Sequence, residues 1–129
     1  MAFRIVRSGD LEWDTRPHEP GGGARHVAQL TELAGFGHSR ANYWRFEPGA
    51  KGRRHRDLIQ EETFVPVRGT LTMYLGEPPE RLEASPGELI HVEAGTALQV
   101  VNEGNEELLL YIYGAPPERG NVELLDSAV

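Results

Sequence analysis

The chain has 129 residues, a length typical of one domain, and its 39% hydrophobic and 26% charged residues are those of a globular protein. A formal net charge of −7 argues against a surface for nucleic acid, and the longest apolar run, residues 108–113, is too short to cross a membrane. Cysteine is absent, which excludes disulfides and thiolate metal sites. The first residues contain no secretion signal, so we expect a cytoplasmic protein.

Glycine and proline interrupt the chain at short intervals, which favours strands over helices. The candidate strands, in chain order, are residues 3–7, 24–30, 39–47, 62–68, 70–75, 81–84, 88–92, 97–102 and 107–114. So many strands in a small chain predict an all-β sandwich or barrel.

The segment PHEPGGG, residues 17–23, has the composition of a flexible linker. We therefore expect an N-terminal arm over residues 1–23, a β-barrel domain over residues 24–115 and a C-terminal tail over residues 116–129.

The last candidate strand, residues 107–114, is apolar on both of its faces. Such a strand is expected to be covered on both sides. A second subunit would cover the outer side in a homodimer, and a place inside a larger sandwich is the alternative.

Three residues of the types that bind metals lie close together in HRDLIQEE, residues 55–62: His55, Asp57 and Glu62. On a strand, residues two apart point the same way, so His55 and Asp57 can converge on one ion, which Glu62 can reach through a turn. An imidazole with two carboxylates suits Fe(II), Mn(II), Ni(II) or Zn(II). In the alternative interpretation both carboxylates are solvated, His55 bonds locally and no metal is bound.

The glycines and intervals around this segment resemble the two motifs of the cupin superfamily. The first motif is represented by Gly49, His55, Asp57, Glu62 and Gly69, and the second by Gly87, Ala94, Gly95 and Asn102. The resemblance implies a double-stranded β-helix, which is a jelly-roll barrel of two antiparallel sheets with the site inside, and often a homodimer.

The sequence departs from the family pattern at two positions that matter for a metal. The resemblance implies a site of three histidines and one glutamate, in which His55 and Glu62 match. Asp57 replaces the second histidine and can still coordinate, whereas Leu98 replaces the third and cannot. The implied metal site is therefore degenerate, with weaker affinity for late first-row ions.

Further residues are candidates for the wall of the barrel pocket because of their places near these motifs: Tyr43, Trp44, Arg54, Gln60, His91 and Leu98. Tyr43 and Trp44 are adjacent on one strand, so they point to opposite faces. Arg54 belongs to a basic cluster with Lys51, Arg53 and Arg56, which either is solvated or faces an anionic ligand.

Three functions stay open, and whether the protein is an enzyme is undecided. The first is the binding of a small molecule in the barrel pocket, which the nearby arginines would suit to an anion. The second is a divalent-metal-dependent enzyme of oxygenase, isomerase or lyase type that uses His55, Asp57 and Glu62. The third is a non-catalytic structural or interaction module. An open and polar interior around His55 favours the first two, and an interior filled by Leu98 and its neighbours favours the third.

Overall fold

The computed structural model describes residues 2–118 and 121–129. Met1 of the predicted arm and residues 119 and 120 of the predicted tail lie outside these ranges. The described residues form two antiparallel β-sheets that enclose a common core, with one short helix and one 3₁₀ turn. The predicted all-β jelly roll is confirmed, and no described helix is long and apolar enough to cross a bilayer.

The strands are β1 (Asp14–Arg16), β2 (Arg25–Gln29), β3 (Arg40–Phe46), β4 (His55–Asp57), β5 (Glu61–Arg68), β6 (Leu71–Leu75), β7 (Glu80–Ala84), β8 (Ile90–Val92), β9 (Leu98–Val101), β10 (Leu108–Ala115) and β11 (Val122–Leu124). The 3₁₀ turn is Ser8–Asp10, and helix α1 is Thr31–Ala34. One sheet has the spatial order β1-β2-β3-β10-β5-β8, and the other has the order β11-β4-β9-β6-β7.

Eight of the nine predicted strands are present, with their ends displaced by two residues or fewer. The prediction of a strand over residues 3–7 is wrong, because this segment pairs with no other strand and leaves Phe3 80% exposed. Three short strands were not predicted: β1, β4 and β11. They lie at or near the sheet edges, and their charged residues hide the apolar alternation by which a strand is recognised.

Alternation along β10 explains how the core is built. Leu108 and Leu110 are fully buried between the sheets, where each side chain contributes about 1.5–3 kcal/mol. The intervening Leu109 and Tyr111 face outward, where Tyr111 contacts the ring of Tyr43 edge-on, at 5.6 Å between centroids. Leu109 and Tyr111 are partly exposed on this outer face. The predicted homodimer, which would cover them, stays a prediction.

A buried asparagine connects two chain segments at the end of β3. The Asn102 amide nitrogen donates to the carbonyl oxygens of Phe46 at 2.8 Å and Glu106 at 2.9 Å, and its Oδ1 accepts from the amide of Gly104 at 3.0 Å. The side chain thus joins the end of β3 to the turn between β9 and β10. This connection ties the end of one sheet to the turn that leaves the other.

Candidate functional site

A cavity of about 990 Å³ lies inside the barrel. Strand β3 supplies much of one wall through alternate residues, because side chains two apart on a strand face the same side: Arg40, Asn42, Trp44 and Phe46. The remaining wall includes four apolar side chains from other strands: Phe64, Leu98, Val100 and Ile112. The interior around His55 is therefore open and partly polar, and Leu98 does not fill it.

Two of the predicted metal ligands come together in this cavity. The Nε2 atom of His55 lies 3.9 Å from Oε1 of Glu62, and both side chains line the space. The Nδ1 atom of His55 lies 3.0 Å from the carbonyl oxygen of Arg53. Since a carbonyl can only accept, Nδ1 carries a proton and Nε2 faces Glu62.

The surroundings of His55 act on its pKa in opposite directions. Burial lowers the pKa, but the interaction with Glu62, the bond to the Arg53 carbonyl and the charges of Glu62 and Asp57 all raise it. The net result is a pKa above the ordinary histidine value. His55 and Glu62 can therefore form an ion pair at the cavity wall.

Asp57, the third predicted ligand, does not join this pair. Its Oδ1 accepts hydrogen bonds from the backbone amides of Ile59 at 3.0 Å and Gln60 at 2.7 Å, and the residue is 7% exposed. The carboxylate therefore shapes the turn between β4 and β5 and does not line the cavity. An aspartate two residues after His55 can either bind a metal or accept hydrogen bonds within a turn. The sequence alone did not distinguish these two roles of Asp57.

Two of the three predicted donors meet at the cavity wall, and the third predicted histidine position carries no donor. Leu98, where the resemblance implies a histidine, stands opposite His55 in the β4–β9 ladder and is 3% exposed. Within residues 2–118 and 121–129, no three His, Cys, Asp or Glu side chains converge in a way that could bind a metal. His55 and Glu62 supply two donors, and the three-ligand site stays a prediction.

The predicted pocket residues divide into two groups. Trp44, Gln60 and Leu98 line the cavity. Gln60 is held in place by a 2.7 Å hydrogen bond from its Nε2 to the carbonyl of Pro116. Its side chain packs over Gly114, where an added Cβ would come within 2.7 Å of Gln60 Oε1.

The structure places Tyr43, His91 and Arg54 outside this cavity. Tyr43 faces outward because it alternates with Trp44. His91 is on the exposed side of β8, with Nδ1 2.8 Å from the hydroxyl of Thr63. Arg54 lines an adjoining space of about 390 Å³ beside the C-terminal residues, which shares Arg25 and Arg53 with the main cavity. There it donates to the carbonyls of Gly76 and Asp126.

Two buried polar residues of the cavity were not predicted. Arg25 is 9% exposed, and its guanidinium lies 5.5 Å from the centre of the Trp44 ring. Asn42 is 7% exposed, and its buried Oδ1 has no hydrogen-bond partner among the described residues. Period-two alternation already puts Asn42 on the face of Trp44, which was the available signal for it.

The comparisons with known proteins agree with this architecture. Residues 42–113 match the family model described as cupin domain, which is more than half of the chain. The chain belongs to the cupin family. The resemblance drawn from the two sequence motifs is thereby confirmed.

One named protein is similar to this chain in sequence. Auxin-binding protein 1 of Arabidopsis thaliana is 36% identical over 80 residues, which cover 56% of this chain and 40% of that protein. The chain therefore matches well under two thirds of that relative's length.

Two solved structures cover 96% of the chain with a TM-score of 0.78. One is a sugar phosphate isomerase of the cupin superfamily from Silicibacter pomeroyi, at 20% identity and with 83% of its chain covered. The other is the polyketide cyclase RemF from Streptomyces resistomycificus, at 19% identity and with 86% covered. At such identities these likenesses show the fold.

Proposed function

We propose that this cupin binds a small organic molecule inside its barrel. The observation that carries the proposal is the cavity itself, whose volume of about 990 Å³ is at the upper end of small-molecule sites. Aromatic and aliphatic side chains share its walls with a similar number of charged and polar ones. Such a combination provides apolar contact for a ligand together with hydrogen bonds that orient it.

The alternative of an interaction module with a filled barrel has less support. Leu98 is buried in the wall, yet it leaves the space open. The buried Oδ1 of Asn42 also lacks a partner, which is unfavourable unless a ligand or water supplies a donor. Both features suit a pocket that receives a molecule.

The names of the relatives support the same class of function. One relative is named for binding auxin, one is a polyketide cyclase and one is a sugar phosphate isomerase. All three names refer to small molecules, although they differ in chemistry. They support a ligand in the barrel and favour no single reaction.

A metal-dependent enzyme is the second candidate, and the observation in its favour is that His55 and Glu62 meet at the cavity wall. Fe, Mn, Ni or Zn would need a further ligand from the bound molecule or from water. Elemental analysis of protein purified without a chelating tag, beside a His55→Ala variant, tests this candidate. Stoichiometric metal that is lost in the variant would establish it.

The proposed ligand site can be tested with N-phenyl-1-naphthylamine (NPN), an uncharged aromatic dye whose fluorescence rises in apolar surroundings. We expect saturable binding to the wild type. Ile112→Trp adds a large ring to the cavity wall, so it should weaken NPN at least about tenfold, or by about 1.4 kcal/mol. Fluorescence titration of both proteins measures the two dissociation constants.

Tyr113→Trp is the matched control, because the neighbouring side chain points away from the cavity and is 39% exposed. It should bind NPN like the wild type. NPN that binds the wild type and Ile112→Trp with equal affinity would contradict a ligand site in the barrel and favour the interaction module.

A further inference from the structure

We infer that the ligand of this cavity is an amphipathic organic acid whose acid group binds Arg25, with Arg16 and Arg53 beside it. The apolar body of the ligand then lies along Trp44, and a donor group of the ligand reaches Asn42. This inference rests on the proposed function and names the chemical class of its ligand.

Sheet register brings the arginines to one side of the cavity. Arg16 and Arg25 stand directly opposite each other in the β1–β2 ladder, and Arg25 stands opposite Phe46 in the β2–β3 ladder. Arg53, from the segment before β4, lines the same cavity. Like charges opposite each other in a ladder are destabilising, so this arrangement is unfavourable until a negative charge joins it.

These arginines lack the carboxylate partners that several other arginines have. Arg54 and Arg56 approach Glu77, Arg68 approaches Glu107, and Arg81 approaches Glu83 and Glu103. In the described ranges, by contrast, no carboxylate lies within ion-pair distance of Arg16, Arg25 or Arg53.

Acidic residues are not scarce, since the chain has 20 of them against 13 basic ones. Of the two glutamates that line the cavity, Glu62 pairs with His55 and Glu19 is exposed. Arg16 and Arg53 are exposed to water, so the charge that lacks compensation is that of the buried Arg25, and a bound anion can supply it.

Arg25 has the surroundings of a residue that anchors an acid group. One of its terminal nitrogens donates to the carbonyl of Pro17 at 3.3 Å, and its buried Nε has no partner among the described residues. Burial lowers the pKa of Arg25, and the charges of Arg53 and Arg16 lower it further. A guanidinium that is shielded from water in this way forms strong bidentate hydrogen bonds with a carboxylate.

The residues next to Arg25 indicate the rest of the ligand. The ring of Trp44 lies against the guanidinium and offers a flat apolar surface at the same wall. Asn42 lies two residues before Trp44 on β3, which puts the two Cα atoms about 7 Å apart. Its free Oδ1 accepts hydrogen bonds, so the ligand is expected to carry an O–H or N–H group at about that distance from the surface of Trp44.

A matched pair of dyes tests the inference. 1-Anilinonaphthalene-8-sulfonate (ANS) has the same aromatic skeleton as NPN with an added acid group. The wild type should bind ANS at least about tenfold more tightly than NPN. Arg25→Gln should remove that preference while it leaves NPN affinity within about threefold of the wild type.

Three further variants make the test specific. Arg53→Gln, at an exposed position, should weaken ANS by about threefold and leave NPN unchanged, and it replaces Arg25→Gln if that variant does not fold. Arg25→Lys keeps the positive charge but loses the bidentate geometry of the guanidinium, so it should retain part of the preference for ANS over NPN. Arg68→Gln removes an arginine outside the cavity and should change neither affinity.

The outcomes separate this inference from the function on which it rests. Equal affinity of the wild type for ANS and NPN, or a preference for ANS that survives in Arg25→Gln, would overturn the organic-acid ligand while leaving the ligand site intact. Binding of neither dye would overturn the ligand site itself.

Discussion

Asp57→Ala is expected to lower the free energy of unfolding by about 3 kcal/mol, whereas Asp57→Asn should change it by about 1 kcal/mol or less. The reason is the turn between β4 and β5, in which Oδ1 of Asp57 accepts from two backbone amides. Alanine leaves both amides without that partner, while asparagine retains an oxygen at the same place. Urea unfolding of the three proteins measures the differences.

The Asp57 variants also separate the two roles that the sequence allowed for this residue. If the carboxylate only shapes the turn, Asp57→Asn should bind NPN and ANS like the wild type. Asp126→Ala, which removes an exposed carboxylate with no described side-chain bond, is the control for loss of charge and should be nearly neutral. An Asp57→Ala protein as stable as the wild type would contradict the role in the turn.

Asn102→Ala should lower the free energy of unfolding by about 3 kcal/mol as well. The side chain is 1% exposed and makes three hydrogen bonds that connect the end of β3 to the turn before β10. Its loss leaves the carbonyl of Phe46 without this bond in the buried interior. Thermal or urea unfolding measures the effect.

Two comparison variants sharpen the prediction for Asn102. Asn102→Asp keeps the shape but turns a carboxylate toward two carbonyl oxygens, so it should destabilise at least as much as alanine at neutral pH. Asn105→Ala, at an exposed position of the same turn, should have little effect. Equal stability of Asn102→Ala and Asn105→Ala would contradict the role of Asn102 in connecting β3 to this turn.

The main strands were predictable because their signals are local. Alternating side chains between turn residues predicted eight of the strands, and the spacing of glycines indicated the cupin barrel. Residues 3–7 show the limit of this reasoning, since Phe3 and Ile5 alternate with polar residues but find no partner strand. Strand β4 shows the converse, because its three residues become a strand through pairing with β9 and β11.

The site was predictable where its residues lie close in the chain. His55 and Glu62 meet as their spacing indicated, because β4 and β5 are connected by a short turn. Arg25 was missed because it is far from either motif in the sequence and reaches the cavity through the ladder between β2 and β3. For Tyr43 and Trp44, alternation shows that they face opposite sides, and the packing of the two sheets decides which side is inside.

The most direct test of an organic-acid ligand inside the barrel is a crystal structure of the wild type with bound ANS. We predict the sulfonate within hydrogen-bond distance of the Arg25 guanidinium and the naphthalene ring against Trp44. ANS on the outer face of the sheet near Tyr43 and Tyr111, or inside the barrel with its sulfonate away from Arg25, would contradict this account.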